Sequence, residues 1–403
     1  MPPFHFLLFL FLLHSAAPTT ITQPTLLSYL SKAITMSGYL SPNIGSDPRV
    51  SKNVTDTIRV LHSTGARYAG RSIFLWGDEH LLPHMLTAAL PNAVTTHAMN
   101  PELILEAAIF EIVTKIGVET LVIPPFVFQA FQLVPENRTF NYSALLFPDG
   151  TYVDLWGVDK SVPDLTQLEA RLWFFYMAAQ YFEVEVEALH LGQIMLMSKN
   201  DKGMLHTWDL LTKIRAHAVH HARRGFVLCN AHVYEDPWVH LNFTSQLIFD
   251  FHAFPSRPKP NMTVPALEHC FLRKGFENAI YGKSAGGVSV GGWDTPSLPY
   301  LVELDNYDCT NHTGIQDPTD TAHPFGWDEI SWYAHQPTAY RNRWLLESVA
   351  WLHRNDAAGH LEMPGMRCLC DPTFKHRSNV GYYSASKVLG FDQEDAIVAA
   401  WAL

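Results

Sequence analysis

Charged residues are scarce in this sequence, and basic residues are the scarcest. Charged side chains make up 17% of the 403 residues, and 28 Lys and Arg face 39 Asp and Glu, so the formal net charge is −11. Nucleic acids and anionic membrane surfaces are bound by clustered basic side chains. The composition therefore argues against a nucleic-acid partner. The hydrophobic share of 47% instead predicts a large buried core.

Long apolar runs are lacking as well. No run reaches the roughly 18 consecutive residues that a membrane-spanning helix needs. Residues 6–13 are all apolar and are followed by the small residues Ser15, Ala16 and Ala17, which is typical of a signal peptide. We predict a signal peptide over 1–17, an N-terminal extension over 18–50 and one domain over 51–403. Without its leader the chain should have no stable membrane span; a membrane anchor is the alternative function of the leader.

Six Asn-x-Ser/Thr sequons are spread along the chain. A leader combined with several sequons predicts a glycoprotein that is secreted or resides in the secretory-pathway lumen. The predicted acceptors are Asn53, Asn137, Asn141, Asn242, Asn261 and Asn311.

Cysteine is scarce too, with five residues. Cys229 lies inside an apolar run, so we predict a buried free thiol there. The other four would be oxidised in a secreted protein. Cys368 and Cys370 are too close in sequence to favour a bond with each other. Two cross-pairings with Cys270 and Cys309 therefore remain open.

Helical patterns alternate with short apolar strands along the chain, which predicts an α/β fold with a parallel sheet covered on both faces. Leu103, Ala107, Phe110 and Val113 recur at helical spacing and predict a helix after Pro101. The predicted strands are 72–76, 120–123, 187–193, 226–232, 247–253, 300–306 and 329–335.

Two closures of such a sheet compete, a (β/α)8 TIM-type barrel with extended loops and an open doubly wound sheet. No Gly-x-Gly-x-x-Gly follows the first predicted strand, so the best signature of the doubly wound dinucleotide fold is missing. Polar residues also cluster at the same end of strand after strand, as barrel active sites require. The sequence therefore favours the barrel.

Polar side chains at these strand ends are the candidate site residues. Charged groups within apolar strands cost several kcal/mol if they are buried without a partner. A partner, a metal, a substrate or solvent in a cleft must therefore compensate them. The candidates are Trp76, Asp78, Glu79, His190, Gln193, Asn230, His232, Asp250, His252, Glu303, Asp305 and His335.

With carboxylates at its strand ends and 12% aromatic residues, the chain resembles the (β/α)8 glycoside hydrolases at the level of architecture. The resemblance implies a secreted hydrolase that acts on a carbohydrate without a cofactor. In the large retaining group of such barrels a nucleophilic Glu ends a late strand, and Glu303 occupies a comparable place. There the acid/base Glu follows an Asn on the fourth strand. Here Asn230 is followed by Ala231 and His232, and the missing Glu puts the double-displacement mechanism in doubt.

Glycoside hydrolysis needs two carboxyl groups, a proton donor and a nucleophile or base. We expect Glu303 to be the nucleophile or base and Asp250 the acid, with Asp305 as the reserve. Trp76, Trp293 and Trp332 have rings suited to stacking on sugars. The remaining strand-end candidates are expected to bind the substrate, namely Asp78, Glu79, Gln193, Asn230, His232, His252 and His335.

Two other functions remain open. A zinc hydrolase would gather strand-end ligands around the metal, drawn from His190, His232, His252, His335 and Asp305. A non-catalytic barrel that binds glycans is the third hypothesis, because the absence of a Glu after Asn230 is what the decay of an enzyme would produce.

Overall fold

The computed structural model describes residues 21–42, 53–233, 238–255, 259–260, 270–271, 285–315, 317, 323, 326–370, 375–376 and 379–403. The predicted signal peptide and the sequon at Asn261 lie outside these ranges. Within them, none of the helices combines the length and the apolar character needed to cross a membrane.

The core of the fold is a curled, mixed sheet of ten strands. In chain order the strands are β1 Ala33–Met36, β2 Tyr68–Leu75, β3 Ile104–Ile109, β4 Ala188–Gln193, β5 Leu228–His232, β6 His252–Pro255, β7 Tyr300–Glu303, β8 Gly359–Leu361, β9 Met363–Cys368 and β10 Tyr382–Ser384.

The strand order in space is β8-β7-β6-β5-β4-β3-β2-β1-β9-β10. All neighbours pair in parallel except β9 and β10, which are antiparallel. Only Glu362 separates β8 from β9, yet β8 pairs with β7 while β9 pairs with β1. Residues 359–368 therefore lie against both β7 and β1, and the sheet curls back on itself.

Helices connect the parallel strands from β1 to β5 and from β7 to β8, as parallel neighbours usually require. The described residues between β5 and β7 contain no α-helix. The helix Val54–Thr64 begins where the Asn53 side chain accepts a hydrogen bond from the Asp56 backbone N–H, and it ends at Gly65 in the left-handed conformation. The helices are α1 Gln23–Leu30, α2 Val54–Thr64, α3 Leu82–Met99, α4 Lys115–Val118, α5 Pro125–Ala130, α6 Tyr142–Leu145, α7 Leu168–Phe182, α8 Ile194–Met197, α9 Leu205–His221, α10 Glu329–His335, α11 Thr338–Asn355 and α12 Glu394–Trp401.

Short two-stranded ladders decorate the connecting loops. They pair Val113–Thr114 with Lys160–Ser161, Lys259–Pro260 with Cys270–Phe271, Gly287–Val288 with Asp294–Thr295, and Lys375–His376 with Asn379–Val380.

The α/β class predicted from the sequence is confirmed, whereas several element predictions are wrong. The segment predicted as a helix from Leu103 contains β3, whose residues are all buried. In a strand buried on both faces apolar residues are not limited to alternate positions, so helical spacing can arise in it by coincidence. Residues 120–123 form no strand, and 329–335 form α10, capped by Asp328.

The strand order argues against the open doubly wound sheet. The order follows the sequence from β1 to β8, without the reversal that marks a doubly wound sheet. Ala33–Met36 lies within the predicted N-terminal extension, yet it forms β1, a strand of the sheet.

Alternation along the strands separates an apolar layer from a polar one. The first residues of β1 to β5 belong to one buried apolar cluster; they are Ala33, Tyr68, Ile104, Ala188 and Leu228. Residues two positions further along a strand face the same side. These are Thr35, Gly70, Glu106, His190 and Asn230. The interior of the curl thus changes from apolar to polar toward the carboxyl ends of its strands.

Candidate functional site

Charged side chains from four strands meet at the carboxyl ends of the sheet. Glu303 Oε1 accepts a hydrogen bond from Arg71 Nη2 at 2.6 Å and lies 2.6 Å from His232 Nε2. Glu303 Oε2 accepts from Arg367 Nη1 at 2.6 Å. Asp305 Oδ1 accepts from Arg71 Nη1 at 3.1 Å and from Arg367 Nη2 at 2.5 Å. We call these five residues the central cluster, namely Arg71, His232, Glu303, Asp305 and Arg367.

Both carboxylates of the central cluster are held in the ionised form. Burial alone would raise the pKa of Glu303, but the charges of Arg71 and Arg367 and the His232 hydrogen bond hold that pKa well below its usual value. Burial and the charge of Glu303 raise the pKa of Asp305, and the same two arginines bring it below its usual value.

The two carboxylates differ in their access to solvent. The Glu303 side chain is 1% exposed and both of its oxygens are engaged, whereas the Asp305 side chain is 15% exposed. Within the described part of the chain, Asp305 Oδ2 accepts no hydrogen bond. Asp305 therefore has the carboxylate oxygen that is better placed to meet a reacting group.

Arg71 reaches the cluster through an irregularity in β2. Its φ is +53°, in the left-handed region, and the pairing of β2 with β3 shifts register between Ala69 and Ile73. The Arg71 backbone N–H donates to the side chain of Glu106 on β3, to Oε2 at 2.8 Å. A bulge of this kind redirects a side chain, and its strain is typical of functional sites.

A second polar group lies beneath the central cluster. Glu106 Oε1 accepts from Tyr68 Oη at 2.5 Å and from Asn230 Nδ2 at 2.7 Å. Asn230 Oδ1 lies 2.6 Å from His190 Nδ1, and the rings of His190 and His232 are 4.6 Å apart. Burial raises the pKa of Glu106. Burial, followed by the charges of His232 and Arg71, lowers the pKa of His190 well below its usual value.

Glu362 adds a further buried carboxyl group to the interior. Its Oε1 accepts from Thr35 Oγ1 at 2.8 Å. Burial, followed by the charges of Glu303 and Glu106, raises the pKa of Glu362 to about 8. A Cβ atom at Gly70 would lie 2.0 Å from Glu362 Oε1, so only glycine leaves space for this side chain.

Asp328 is a buried carboxyl group beside the central cluster. Its Oδ1 accepts from the Ser331 backbone N–H at 2.9 Å, which caps α10, while Oδ2 is buried and has no partner among the described residues. The Ile330 N–H bonds the Asp305 carbonyl, so the first turn of α10 is tied to the cluster. Burial raises the pKa of Asp328 to about 7, and the charge of Asp305 adds to this effect.

Partly exposed aromatic rings lie next to the central cluster. Trp76 is 5.2 Å from Phe110 and 5.4 Å from Trp156 between ring centroids, and Phe74 is 5.6 Å from Phe110. Phe110 lies 6.0 Å from the Arg71 guanidinium carbon. Trp156 Nε1 donates to the Glu111 carbonyl at 2.9 Å, which fixes its ring. We call these four rings the aromatic platform, namely Phe74, Trp76, Phe110 and Trp156.

Three further predicted residues lie at or just after the carboxyl ends of β2 and β4. Asp78 is partly exposed and has a left-handed φ of +56°. Buried Glu79 accepts from the backbone and side chain of Thr114, and burial raises its pKa to about 7. Gln193 donates through its backbone and side chain to Glu111. Glu79 and Gln193 thus fix loops around the central cluster.

The structure does not bring Asp250 to Glu303. Asp250 precedes β6 at the amino end of the sheet, where its Oδ2 accepts from Arg215 Nη2 at 3.0 Å and from the Cys229 N–H at 2.8 Å. Glu303 is the last residue of β7 and lies at the carboxyl end of the sheet. His252 is the first residue of β6 and is buried 5.6 Å from the Tyr300 ring, also at the amino end.

Two of the predicted stacking residues and His335 lie away from the cluster as well. Trp293 packs on the apolar cluster at the amino ends of the strands. Trp332 is 2% exposed and packs against Tyr340 and Trp344 in the core. His335 belongs to α10 and stacks on Trp327 at 4.0 Å. The positions of Trp332 and His335 follow from the formation of a helix where the sequence predicted a strand over 329–335.

Asn230 and His232 lie on the fifth strand of the sheet, not on the fourth as expected, because β1 precedes the first predicted strand. Several site residues were missed from the sequence, namely Arg71, Glu106, Asp328, Glu362 and Arg367. Arg71 and Arg367 stand in otherwise apolar strands, and a buried charge in such a strand is the signal that selected Glu303. Glu106 stood inside the wrongly predicted helix.

Of the predicted zinc ligands, His232 and Asp305 lie together. With Glu303 they offer three ligand atoms within 4.8 Å of one another. However, Arg71 and Arg367 already donate to both carboxylates. Two buried guanidinium groups repel a further cation, so the donor set fits a metal poorly.

Disulfide and sequon positions are consistent with the sequence predictions. Cys309 and Cys370 are bonded, which matches one of the two open pairings, and Cys229 is a buried free thiol. This bond joins the loops after β7 and β9 at the carboxyl end. The five described sequon asparagines are exposed, namely Asn53, Asn137, Asn141, Asn242 and Asn311. Glycosylation at these positions stays a prediction.

No protein-family model matches the sequence, and none of the curated proteins matches it. Among solved structures, the chain is similar to a β-L-arabinopyranosidase from Geobacillus stearothermophilus (11% identity, TM-score 0.31, 53% of this chain and 50% of that chain). It is also similar to a debranching enzyme from Nostoc punctiforme (10%, TM-score 0.41, 93% and 81%). The chain spans half the length of the arabinopyranosidase. TM-scores of this size do not assign a family or an activity.

Proposed function

We propose that this protein is a secreted hydrolase that acts on a carbohydrate, and that its sheet closes into a (β/α)8 barrel with the active site at the carboxyl ends of the strands. The pairing of residues 359–368 with both β7 and β1 supports closure. The observation that carries the function is the grouping of carboxyl groups of lowered pKa, Glu303 and Asp305, with Asp328, whose pKa is raised, in a cluster whose Arg71 lies next to the aromatic platform. Active sites of such barrels lie at this end.

Asp305 takes the role of nucleophile or base in this proposal. Its carboxylate is ionised and partly exposed, and the arginines fix its position through Oδ1 while Oδ2 stays available. Glu303, which the sequence favoured for this role, instead holds Arg71, Arg367 and His232 in place. We assign the role of nucleophile or base to Asp305 and not to Glu303 because both Glu303 oxygens already have hydrogen-bond partners.

Asp328 takes the role of proton donor. Glycosidases place a carboxyl group of raised pKa near an ionised carboxylate, so that the first donates a proton while the second attacks or activates water. Asp328 has a pKa raised to about 7, an unpartnered oxygen and a link through α10 to Asp305. Glu362 also has a raised pKa, but its Oε1 already accepts from Thr35 and lies against Gly70.

The aromatic platform is proposed to bind the sugar. A sugar ring presents C–H groups on its faces and hydroxyl groups at its edge, so the face of a single aromatic ring beside polar groups suits it. Trp76, predicted as a stacking residue from the sequence, is joined there by Phe110 and Trp156.

The experiment is an assay of the secreted protein on a panel of chromogenic glycosides and unmodified oligosaccharides. We expect hydrolysis of at least one substrate. We expect Asp305→Asn to reduce the rate of this hydrolysis by about 1,000-fold or more. Asp250→Asn is the matched control, because Asp250 is also paired with an arginine but lies at the other end of the sheet. Hydrolysis that survives Asp305→Asn, or no hydrolysis by the parent, would overturn the proposal.

Asp328→Asn tests the proton donor, since asparagine can still cap α10. We expect it to abolish cleavage of poor leaving groups, to retain much of the cleavage of nitrophenyl glycosides, and to remove the alkaline limb of the pH profile.

The zinc hydrolase is the less favoured candidate: His232, Glu303 and Asp305 lie close together, but Arg71 and Arg367 already donate to both carboxylates. Metal analysis of the purified protein separates it from the first, because stoichiometric zinc and loss of activity on chelation favour the zinc enzyme. Binding of glycans without turnover by the parent would instead support the non-catalytic barrel.

A further inference from the structure

We propose that His190 is a substrate-binding residue whose Nε2 accepts a hydrogen bond from a sugar hydroxyl, and that Asn230 and Glu106 position it for this role. The inference rests on the proposed carbohydrate substrate and names a contact that the sequence analysis did not assign.

The orientation of the Asn230 amide fixes the first step. Its Nδ2 lies 2.7 Å from Glu106 Oε1 and 3.3 Å from the Leu189 carbonyl, and both of these atoms accept hydrogen bonds. The Asn230 oxygen must therefore face His190 Nδ1, at 2.6 Å. An amide oxygen only accepts.

The His190 tautomer follows from this geometry. Because Asn230 Oδ1 only accepts, Nδ1 of His190 carries the proton and donates it. The buried imidazole of His190 stays neutral, since burial, followed by the charges of His232 and Arg71, disfavours a further proton. Nε2 of His190 is therefore left as a hydrogen-bond acceptor.

This acceptor has no partner within the described part of the chain, although His190 is only 2% exposed. Buried polar atoms of proteins are nearly always hydrogen-bonded, because an unpaired one costs free energy. A hydroxyl donor supplied by a ligand would satisfy Nε2.

The surroundings of His190 belong to the proposed site. Its ring lies 4.6 Å from His232 of the central cluster and 6.1 Å from Phe110 of the aromatic platform. A sugar stacked on the platform would direct its edge hydroxyls toward this side. Glu106 acts only through Asn230 and is a positioning residue.

His97 provides an internal control. It is also buried, but both of its nitrogens are engaged, Nδ1 at 2.6 Å from Glu185 Oε2 and Nε2 at 3.1 Å from the Leu103 carbonyl. A ligand that binds at the carboxyl end of the sheet has no free atom of His97 to contact.

The test is long-range ¹H–¹⁵N NMR of the whole protein labelled at histidine nitrogens, with His190 assigned by its loss in His190→Phe. We expect an Nδ1-protonated tautomer, and a shift of the Nε2 resonance when D-xylose, D-glucose or D-galactose is titrated in, while His97 does not shift. Asn230→Leu should mix the two tautomers. His190→Phe should weaken sugar binding roughly tenfold.

The outcomes separate this inference from the proposed function. An Nε2-protonated tautomer, or an Nε2 resonance that none of the three sugars moves, overturns the role of His190 even if glycosides are hydrolysed. The expected tautomer and a sugar-dependent shift support it even if the glycoside panel shows no hydrolysis.

Discussion

Buried charges occur at both ends of the sheet, but they are organised differently. At the amino end, both oxygens of Glu187 accept hydrogen bonds from Arg223 and Arg224, and Asp250 pairs with Arg215. These arginines belong to α9 or to the turn after it, so both pairs tie the residues that precede β4 and β6 to this helix and its end.

At the carboxyl end the partners are far apart in the sequence and converge inside the curl. Arg71 binds Glu303 across 232 residues, and the acids Glu303, Asp305, Asp328 and Glu362 outnumber the arginines. Acids without an arginine of their own have raised pKa values. Unmatched acids and unpartnered atoms, more than ion pairs as such, therefore mark a candidate active site.

Removing the charge of Glu303 should have the largest effect on stability. Glu303→Gln leaves Arg71 and Arg367 with less compensation in a buried site, so we expect the free energy of unfolding to fall by about 3–5 kcal/mol. Urea unfolding of the purified variant measures this. If Glu303→Gln lost less unfolding free energy than Glu187→Gln at the amino end, the charges at the carboxyl end would not be the more tightly coupled ones.

The same substitution at the amino end should cost less and leave the site intact. Arg223 and Arg224 are partly exposed, at 22% and 21%, and can be hydrated once Glu187 is gone. We expect Glu187→Gln to lose about 2–3 kcal/mol of unfolding free energy. Hydrolysis rates of the folded variant should equal those of the parent; a large drop in rate would remove the distinction between the two ends.

Glu362 should make stability depend on pH. Its pKa of about 8 in the folded protein lies above that of an unfolded glutamate, so the folded state binds more protons between pH 4.5 and 8 and stability falls as the pH rises through this window. We expect Glu362→Gln to stabilise the protein by on the order of 2 kcal/mol at pH 8, and not at pH 4. Chemical unfolding at both pH values measures the difference, and equal effects would refute the raised pKa.

The smallest effect should come from the aromatic platform. Trp156→Ala removes one ring beside the central cluster without touching a charge, so we expect KM for the hydrolysed glycoside to rise about tenfold while kcat stays close to that of the parent. Trp156→Phe is the matched control and should restore most of the affinity. An unchanged KM in the alanine variant would place the sugar elsewhere.

Particular elements show how much of the fold and of the site could be predicted from the sequence. The strand predicted over 187–193 is β4 within one residue, and Glu303, Asp305, Asn230 and His232 lie where polar strand ends were expected. The region from Leu103 was misjudged because a strand buried on both faces has no alternation to distinguish it from a helix. Asp250 was misplaced because the sequence does not show at which residue a strand begins.

The sequence by itself determined the α/β class, the apolar strands and the presence of charged residues within them, because composition and periodicity are local properties of the chain. Only the tertiary structure decided that Asp250 faces Arg215 while Asp305 faces Arg71 and Arg367. Which acid is matched by an arginine depends on contacts between distant segments. These contacts set the pKa values, and through them the chemistry that each carboxyl group can perform.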